Sequence, residues 1–218
     1  MSDKKLGFGR LRLPLTDGDY WGSVDKEETR KMVNLFMEKG FNYFDTAILY
    51  HDHTSEPLVK ELISDRYDRE SFVLATKLHP DYFKTIEDCE KVFAEQLEKT
   101  GAGYFDYYPL HGISADSYQK HESVGTFDFI REKKEQGLIK NIGFSYHDGA
   151  ELLDKILAAH PETDVVQLQI NYLDWENEWV QSRECYETAV KYGKPVIVME
   201  PVTGGTLAKV PSDVMRTF

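Results

Sequence analysis

The chain is poor in cysteine, in long apolar runs and in positive charge, and each shortage removes a class of protein. Cys89 and Cys185 are the only cysteines among 218 residues. They stand in separate segments of helical character without the spacing of a zinc or redox motif, so both read as buried or incidental thiols. No apolar stretch is long enough to span a bilayer, and Met1-Ser2-Asp3-Lys4-Lys5 leads into glycine-punctuated sequence rather than an apolar targeting core. A soluble protein of a reducing cytoplasm is the expectation. Lys and Arg number 26 against 38 Asp and Glu, a formal net charge of −12. That balance opposes general attraction to nucleic acid or to an anionic membrane and leaves small neutral or cationic substrates open.

What is present is an alternation. At 41% hydrophobic residues the chain can bury one sizeable core, no stretch reads as a linker, and residues 1–218 are expected to form one domain. Leu6 to Leu13 reads as a first strand. Asp25 with Glu28 opens a helix whose stripe is Met32, Val33, Phe36 and Met37 and whose stop is Gly40. Phe41 to Phe44 is a strand, Ser55 to Ile63 a helix, and Phe72 to Thr76 a strand. Thr85 with Asp88 starts a helix that presents Val92, Phe93, Gln96 and Leu97 inward and ends at Gly101, before the strand Tyr104 to Leu110. Phe127 and Ile130 mark a fourth helix, Leu138 to Ser145 a fifth strand, and Asp148 caps a helix carrying Leu152, Leu153, Ile156 and Leu157. Val165 to Ile170, a helix from Val180 to Tyr192, and Pro195 to Met199 complete the pattern.

Strands joined by helical crossovers lie parallel, and near-continuous apolar runs suit a sheet covered on both faces. A doubly wound sheet usually carries G-x-G-x-x-G after its first strand. Here Gly7-Phe8-Gly9-Arg10-Leu11-Arg12 lacks the third glycine. A TIM-type (β/α) barrel, whose chemistry gathers at the carboxyl ends of its strands, is the better reading.

Four polar residues fall at those ends: Asp45 and Tyr50 after strand two, Lys77 after strand three and His111 after strand four. Reduction of a carbonyl by hydride transfer builds charge on oxygen and needs a nearby proton donor. Tyrosine can serve, although its free pKa of about 10 is high, and a neighbouring ammonium such as Lys77 lowers it by stabilising the phenolate. Asp45 keeps that lysine charged and in place, and His111 can orient the carbonyl.

This set, with Asp-x-x-x-x-Tyr in the second βα loop and Lys and His ending strands three and four, resembles the aldo-keto reductase superfamily. The resemblance implies a (β/α)8 barrel, a catalytic set of Asp45, Tyr50, Lys77 and His111, and NADPH, or NADH in its place, bound without a Rossmann fold. It also implies a small-molecule carbonyl substrate. Gly143-Phe144-Ser145 looks like the family's strand-five end, where Ser145 would hold the nicotinamide carboxamide with Gln167 of strand six. Tyr146 stands where many members have asparagine. Met199 replaces an aromatic that stacks on the nicotinamide, as in a bacterial branch. Gly9, Pro201, Gly204 and Gly205 complete the expected cofactor contacts, the last two by letting backbone amides approach the pyrophosphate.

About seven strands are legible, so the last βα unit of the barrel is expected to be missing. The unclosed edge would then be open to self-association. Leu207 to Met215 reads as the loop and start of a seventh helix. Two other functions stay open. A metal-dependent barrel hydrolase could use His51, His53, His79, His111 and His147, and a truncated reductase could serve as a non-catalytic binding subunit. Tyr20, Trp21, His51, His79, Tyr146 and Trp175 are substrate-pocket candidates by position.

Overall fold

The computed structural model describes residues 5–16 and 23–208. Seven parallel strands run in chain order: β1 (Gly7–Gly9), β2 (Tyr43–Asp45), β3 (Val73–Ala75), β4 (Phe105–Ile113), β5 (Ile139–Tyr146), β6 (Val165–Gln169) and β7 (Val196–Met199). The helices between them are α1 (Lys26–Glu38), α2 (Ser55–Val59), α3 (Ile86–Thr100), α4 (Ala115–Val124), α5 (Thr126–Glu135), α6 (Ala150–Ala159) and α7 (Ser182–Lys191). Each strand pairs with the next in sequence, the arrangement of a (β/α) barrel. Among the described residues β1 and β7 do not pair with each other, and no eighth strand is present.

The core lies between sheet and helices, where Phe44, Leu74, Tyr108, Leu110, Phe144, Val166 and Leu168 meet Val33, Val59, Leu62, Phe93, Ile130, Leu153 and Ile156. Alternation along the strands sends the intervening residues to the barrel interior. Phe44 and Leu74 pair and face the helices, so Asp45 and Ala75, the next pair, face inward. Gly143 of β5 permits a close approach to β6: a Cβ there would lie 2.0 Å from the Val165 carbonyl oxygen.

Several boundaries differ from the sequence reading. Strand β1 covers Gly7–Gly9 alone: Arg10 still donates its N–H to the Asp45 carbonyl at 2.9 Å, and the chain then turns at Leu11 and Arg12. Strand β4 runs to Ile113, placing His111 inside it rather than after it. Two helices fill the β4–β5 crossover, broken at Gly125 (φ 80°). After Val59 the helix of α2 widens into a π turn over Lys60–Ser64. Asp148 does not cap α6 from the N-cap position, which Gly149 occupies. The Asp148 carboxylate instead accepts the N–H groups of Ala115 and Gly149, and Gln181 accepts that of Ala150. The Thr85–Asp88 capping box forms as expected.

Opposite the carboxyl ends, Asp106 ties three strands. One carboxylate oxygen accepts the Leu74 N–H at 2.9 Å and the Arg69 guanidinium at 2.7 Å, and the other accepts Lys140 at 2.9 Å. Arg69 in turn donates to the carbonyls of Ala102, Phe72 and Tyr104. Removing one member of a buried set leaves the other charge uncompensated. Asp106→Ala should cost about 3 kcal/mol in denaturant unfolding, whereas Glu151→Ala, which breaks an exposed pair with Lys155, should leave the unfolding midpoint nearly unchanged.

Candidate active site

The turn after β2 is short and irregular. His51, Asp52 and His53 all have positive φ (50°, 49° and 66°), so the chain folds back tightly and Tyr50 returns over the end of the sheet. Ser55 of α2 secures it by donating its N–H to the Tyr50 carbonyl at 3.2 Å. On β3 the extended backbone continues past Ala75, so Thr76 turns outward to the helices while Lys77 turns inward. Sequence neighbours 27 and 32 positions apart thereby meet: Lys77 Nζ lies 3.2 Å from the Tyr50 hydroxyl and 2.6 Å from Asp45 Oδ1, and it donates to the Thr46 carbonyl at 2.8 Å.

Lys77 is 1% exposed. Burial alone would lower its pKa, but Asp45 and Tyr50 outweigh that, and the net shift is upward, so the ammonium is charged. Tyr50 departs from the sequence expectation. Burial raises its pKa, the Lys77 charge and hydrogen bond pull it back, and Asp45 and Glu200 push it up again. The net direction is upward, because desolvation of the phenolate exceeds the pull of the lysine.

His111 joins from β4, its ring centre 6.0 Å from that of Tyr50 at 81°. Its Nδ1 is buried and has no partner among the described residues. Burial first, then Lys77 and the imidazoles of His79 and His147, hold its pKa well below the ordinary histidine value, so the ring is neutral.

Beneath Lys77 lies a polar cluster that the sequence reading did not assign to the site. Thr76 Oγ1 and Gln96 Nε2 both donate to Glu56 Oε1 at 2.6 Å, Gln96 Nε2 also reaches the Lys77 carbonyl at 3.1 Å, and Tyr108 donates to Gln96 Oε1 at 2.6 Å. Glu56 and Gln96 are 1% and 0% exposed. The signal was legible: Gln96 is a polar residue in the apolar stripe of α3, and such a residue needs buried partners.

The other expected residues fall around the same end. Ser145 and Gln167 are register partners on β5 and β6. Ser145 Oγ accepts the Gly112 N–H at 2.8 Å. Gln167 Nε2 lies 3.4 Å from Asp45 Oδ2, and its Oε1 is buried with no partner among the described residues. Gly9 pairs with Asp45 across β1–β2, and no atom lies within 4 Å of where its Cβ would be. Met199 ends β7 opposite Gln169. Pro201 is exposed, and Gly204 and Gly205 have φ of 64° and 99°, a backbone that favours glycine. Arg12 crosses from the β1 loop to Glu200 at 2.7 Å.

Of the pocket candidates, Tyr20 and Trp21 lie outside the described residues, as do residues 209–215 of the expected seventh helix. Tyr146 turns to the helix side, where its hydroxyl donates to the Gly149 carbonyl at 2.6 Å. Trp175 packs on Tyr186 with ring centres 5.9 Å apart. The histidines do not assemble a metal site: among the described residues no group of three or more His, Cys, Asp or Glu side chains is arranged to hold an ion. His51 Nε2 accepts the Leu13 N–H at 3.1 Å, and His53 meets the Tyr82 hydroxyl at 3.3 Å.

Two buried histidines make stability pH-dependent. Burial lowers the pKa of His121 to about 3 and that of His111 well below its ordinary value. In the unfolded chain each takes a proton near about pH 6.5. The unfolded state therefore binds more protons below that pH, and stability present above about 6.5 is lost as the pH falls toward about 3. Urea midpoints should be lower at mildly acidic than at neutral pH, and His121→Asn should narrow the difference. An equal pH dependence in wild type and variant would contradict the assignment.

Comparison with known proteins places the fold and the family. Solved structures share the fold: an aldo-keto reductase from Bacillus halodurans in its holo form superposes with a TM-score of 0.73 at 23% identity, over 95% of this chain and 65% of that one. An aldo/keto reductase from Klebsiella pneumoniae, in complex with NADP and acetate, gives 0.75 at 18% identity over 98% and 71%. An uncharacterized oxidoreductase of Schizosaccharomyces pombe is 27% identical over 217 residues, 94% of this chain and 65% of that protein. An aldo-keto reductase of Bombyx mori is 24% identical over 172 residues, 76% of this chain and 53% of that protein. The chain thus spans between about half and about two thirds of the length of these two relatives. The sequence model of the Aldo/keto reductase family matches residues 5–213, and the chain belongs to that family.

Proposed function

We propose that the protein reduces an aldehyde or ketone to an alcohol with NADPH, or NADH in its place, and that Tyr50 gives the proton. The observation that carries this reading is the convergence on one buried ammonium of the Tyr50 hydroxyl, the Asp45 carboxylate and the Thr46 carbonyl. A hydroxyl held at 3.2 Å from a fixed positive charge is arranged to lose its proton when a neighbouring oxygen gains negative charge.

The residues present suit a nicotinamide. Gln167 Oε1 is a buried acceptor without a partner among the described residues, which matches the amide N–H of a carboxamide. Ser145 accepts from Gly112 through its oxygen and keeps its own proton to donate. Gly9 leaves the floor beside Asp45 open, Met199 offers a polarisable surface to a ring, and the turn from Pro201 through Gly204 and Gly205 would approach a pyrophosphate. When bound, the cofactor supplies the hydride. Tyr50 supplies the proton at the carbonyl oxygen, Lys77 steadies the phenolate left behind, and Asp45 keeps Lys77 charged and aligned. Neutral His111 directs an N–H toward the carbonyl and fixes its orientation.

The test is nicotinamide oxidation, followed by absorbance with a panel of aldehydes and ketones. Tyr50→Phe should lower kcat by about 100-fold or more, the usual scale for loss of a general acid, with cofactor affinity little changed. Lys77→Met should lower kcat similarly. Wild-type turnover in Tyr50→Phe would remove Tyr50 from the mechanism.

A further inference from the structure

A second imidazole stands beside the one that orients the carbonyl. Past Lys77 the chain keeps alternating. Leu78 is 0% exposed in the helix-side core and bridges to Leu110, so His79, two residues after Lys77, faces inward on the same side as the lysine. Its ring centre is 5.0 Å from that of His111, with the planes at 88°, and its side chain is 22% exposed.

The position of its proton follows from its contacts. Asp81 donates its backbone N–H to His79 Nδ1 at 3.2 Å, a bond that requires Nδ1 to be unprotonated and leaves the proton on Nε2. Burial lowers the pKa of His79 against the opposing pull of Asp81, so the neutral form, with one N–H to give, is the form present at neutral pH. Among the described residues Nε2 has no hydrogen-bond partner. Tyr82 and then His53 continue the row outward, with ring centres 5.8 and 5.5 Å apart. This wall of the site is therefore made of rings that carry hydrogen-bonding atoms. Two donors on adjacent rings this close can reach two oxygen atoms on neighbouring carbons.

We propose that His79 is a second hydrogen-bond donor to the substrate, so that the protein selects carbonyl compounds carrying an oxygen on the carbon next to the carbonyl. The inference rests on the reduction reading above and adds a substrate class to it. A substrate without that oxygen leaves the His79 N–H desolvated and unmatched, and this unmet donor is the source of discrimination.

Hydroxyacetaldehyde and propanal form a matched pair, since they differ by a hydroxyl in place of a methyl at that carbon. The measurement is the ratio of their kcat/KM values in wild type, His79→Phe and His79→Gln. Phenylalanine keeps the ring and removes the donor, and glutamine returns an N–H near the Nε2 position. The ratio should fall about tenfold in His79→Phe, the scale of one hydrogen bond, and recover in His79→Gln. Comparing ratios cancels the greater intrinsic reactivity of the hydroxyaldehyde. Should His79→Phe lose its thermal transition, His79→Leu is read in the same way. An unchanged ratio with both aldehydes still reduced would overturn the role of His79 and leave the reduction reading standing. No turnover of either aldehyde by wild type would overturn the reduction reading, and this inference with it.

Discussion

The ammonium of Lys77 has almost no contact with solvent, and much of the local structure exists to make that tolerable. An unpaired buried charge costs several kcal/mol or neutralises itself, so the lysine needs oxygens supplied from other parts of the chain. Asp45 and Thr46 supply two from the end of β2, and Tyr50 the third from the turn beyond it. This demand fixes the β2–β3 register. Thr46 donates its N–H to the Ala75 carbonyl at 2.9 Å, and a slip of one residue would send Lys77 to the helix side. The helix after the turn completes the constraint from outside the sheet. Ser55 pairs with Thr46 through their hydroxyls at 2.8 Å, and Glu56 receives Thr76 at 2.6 Å. Two consecutive residues of α2 therefore grip the two strand ends that carry the charge and its partners.

The sequence revealed that architecture to the extent that it depended on period and punctuation. Strands β2, β3, β5, β6 and β7 lie within a few residues of their apolar runs, and the four polar residues at strand ends meet around Tyr50. Elements that depend on tertiary context were less legible. Helix α4 buries a single residue, His121, and so has no apolar stripe to announce it. Strand β4 continues past Leu110 because Ile113 pairs again with Tyr146 of β5 after a register shift, while the intervening His111 N–H bonds the Leu78 carbonyl and the Gly112 N–H bonds Ser145 Oγ; neither residue type advertises a strand. The Glu56–Gln96 cluster needed knowledge of which helix faces which strand end, since its members are 40 positions apart.

Around this charge the site divides into a dry side and a polar, partly open side. Thr76, Gln96 and Glu56 against the helix layer, and Lys77 just inside the sheet, are nearly free of solvent, where each hydrogen bond is strengthened by low polarity and each missing one would be costly. His79, Tyr82 and His53 lead outward from His111 toward the surface. Reaction chemistry gains from such a division. In the proposed reduction the proton donor and its stabilising charge would keep a fixed geometry, while the groups facing a substrate would stand on short turns after the strands.

The upward shift of the Tyr50 pKa bears on how the lysine acts. A phenol ionised at rest would have no proton to give, and burial together with Asp45 and Glu200 prevents that state. Lys77 pulls the other way without winning, so the resting tyrosine keeps its proton. The balance changes only when charge moves. In the proposed reduction, as a carbonyl oxygen takes the proton, negative charge would appear on the Tyr50 oxygen 3.2 Å from an ammonium already oriented by Asp45 and Thr46. No group has to reorganise to meet it, which is the condition under which a fixed charge lowers a barrier most. In the proposed reduction the lysine therefore works less by lowering the resting pKa than by being in place when the phenolate forms. Asp45 matters because it holds the lysine charged in a site whose burial would otherwise neutralise it.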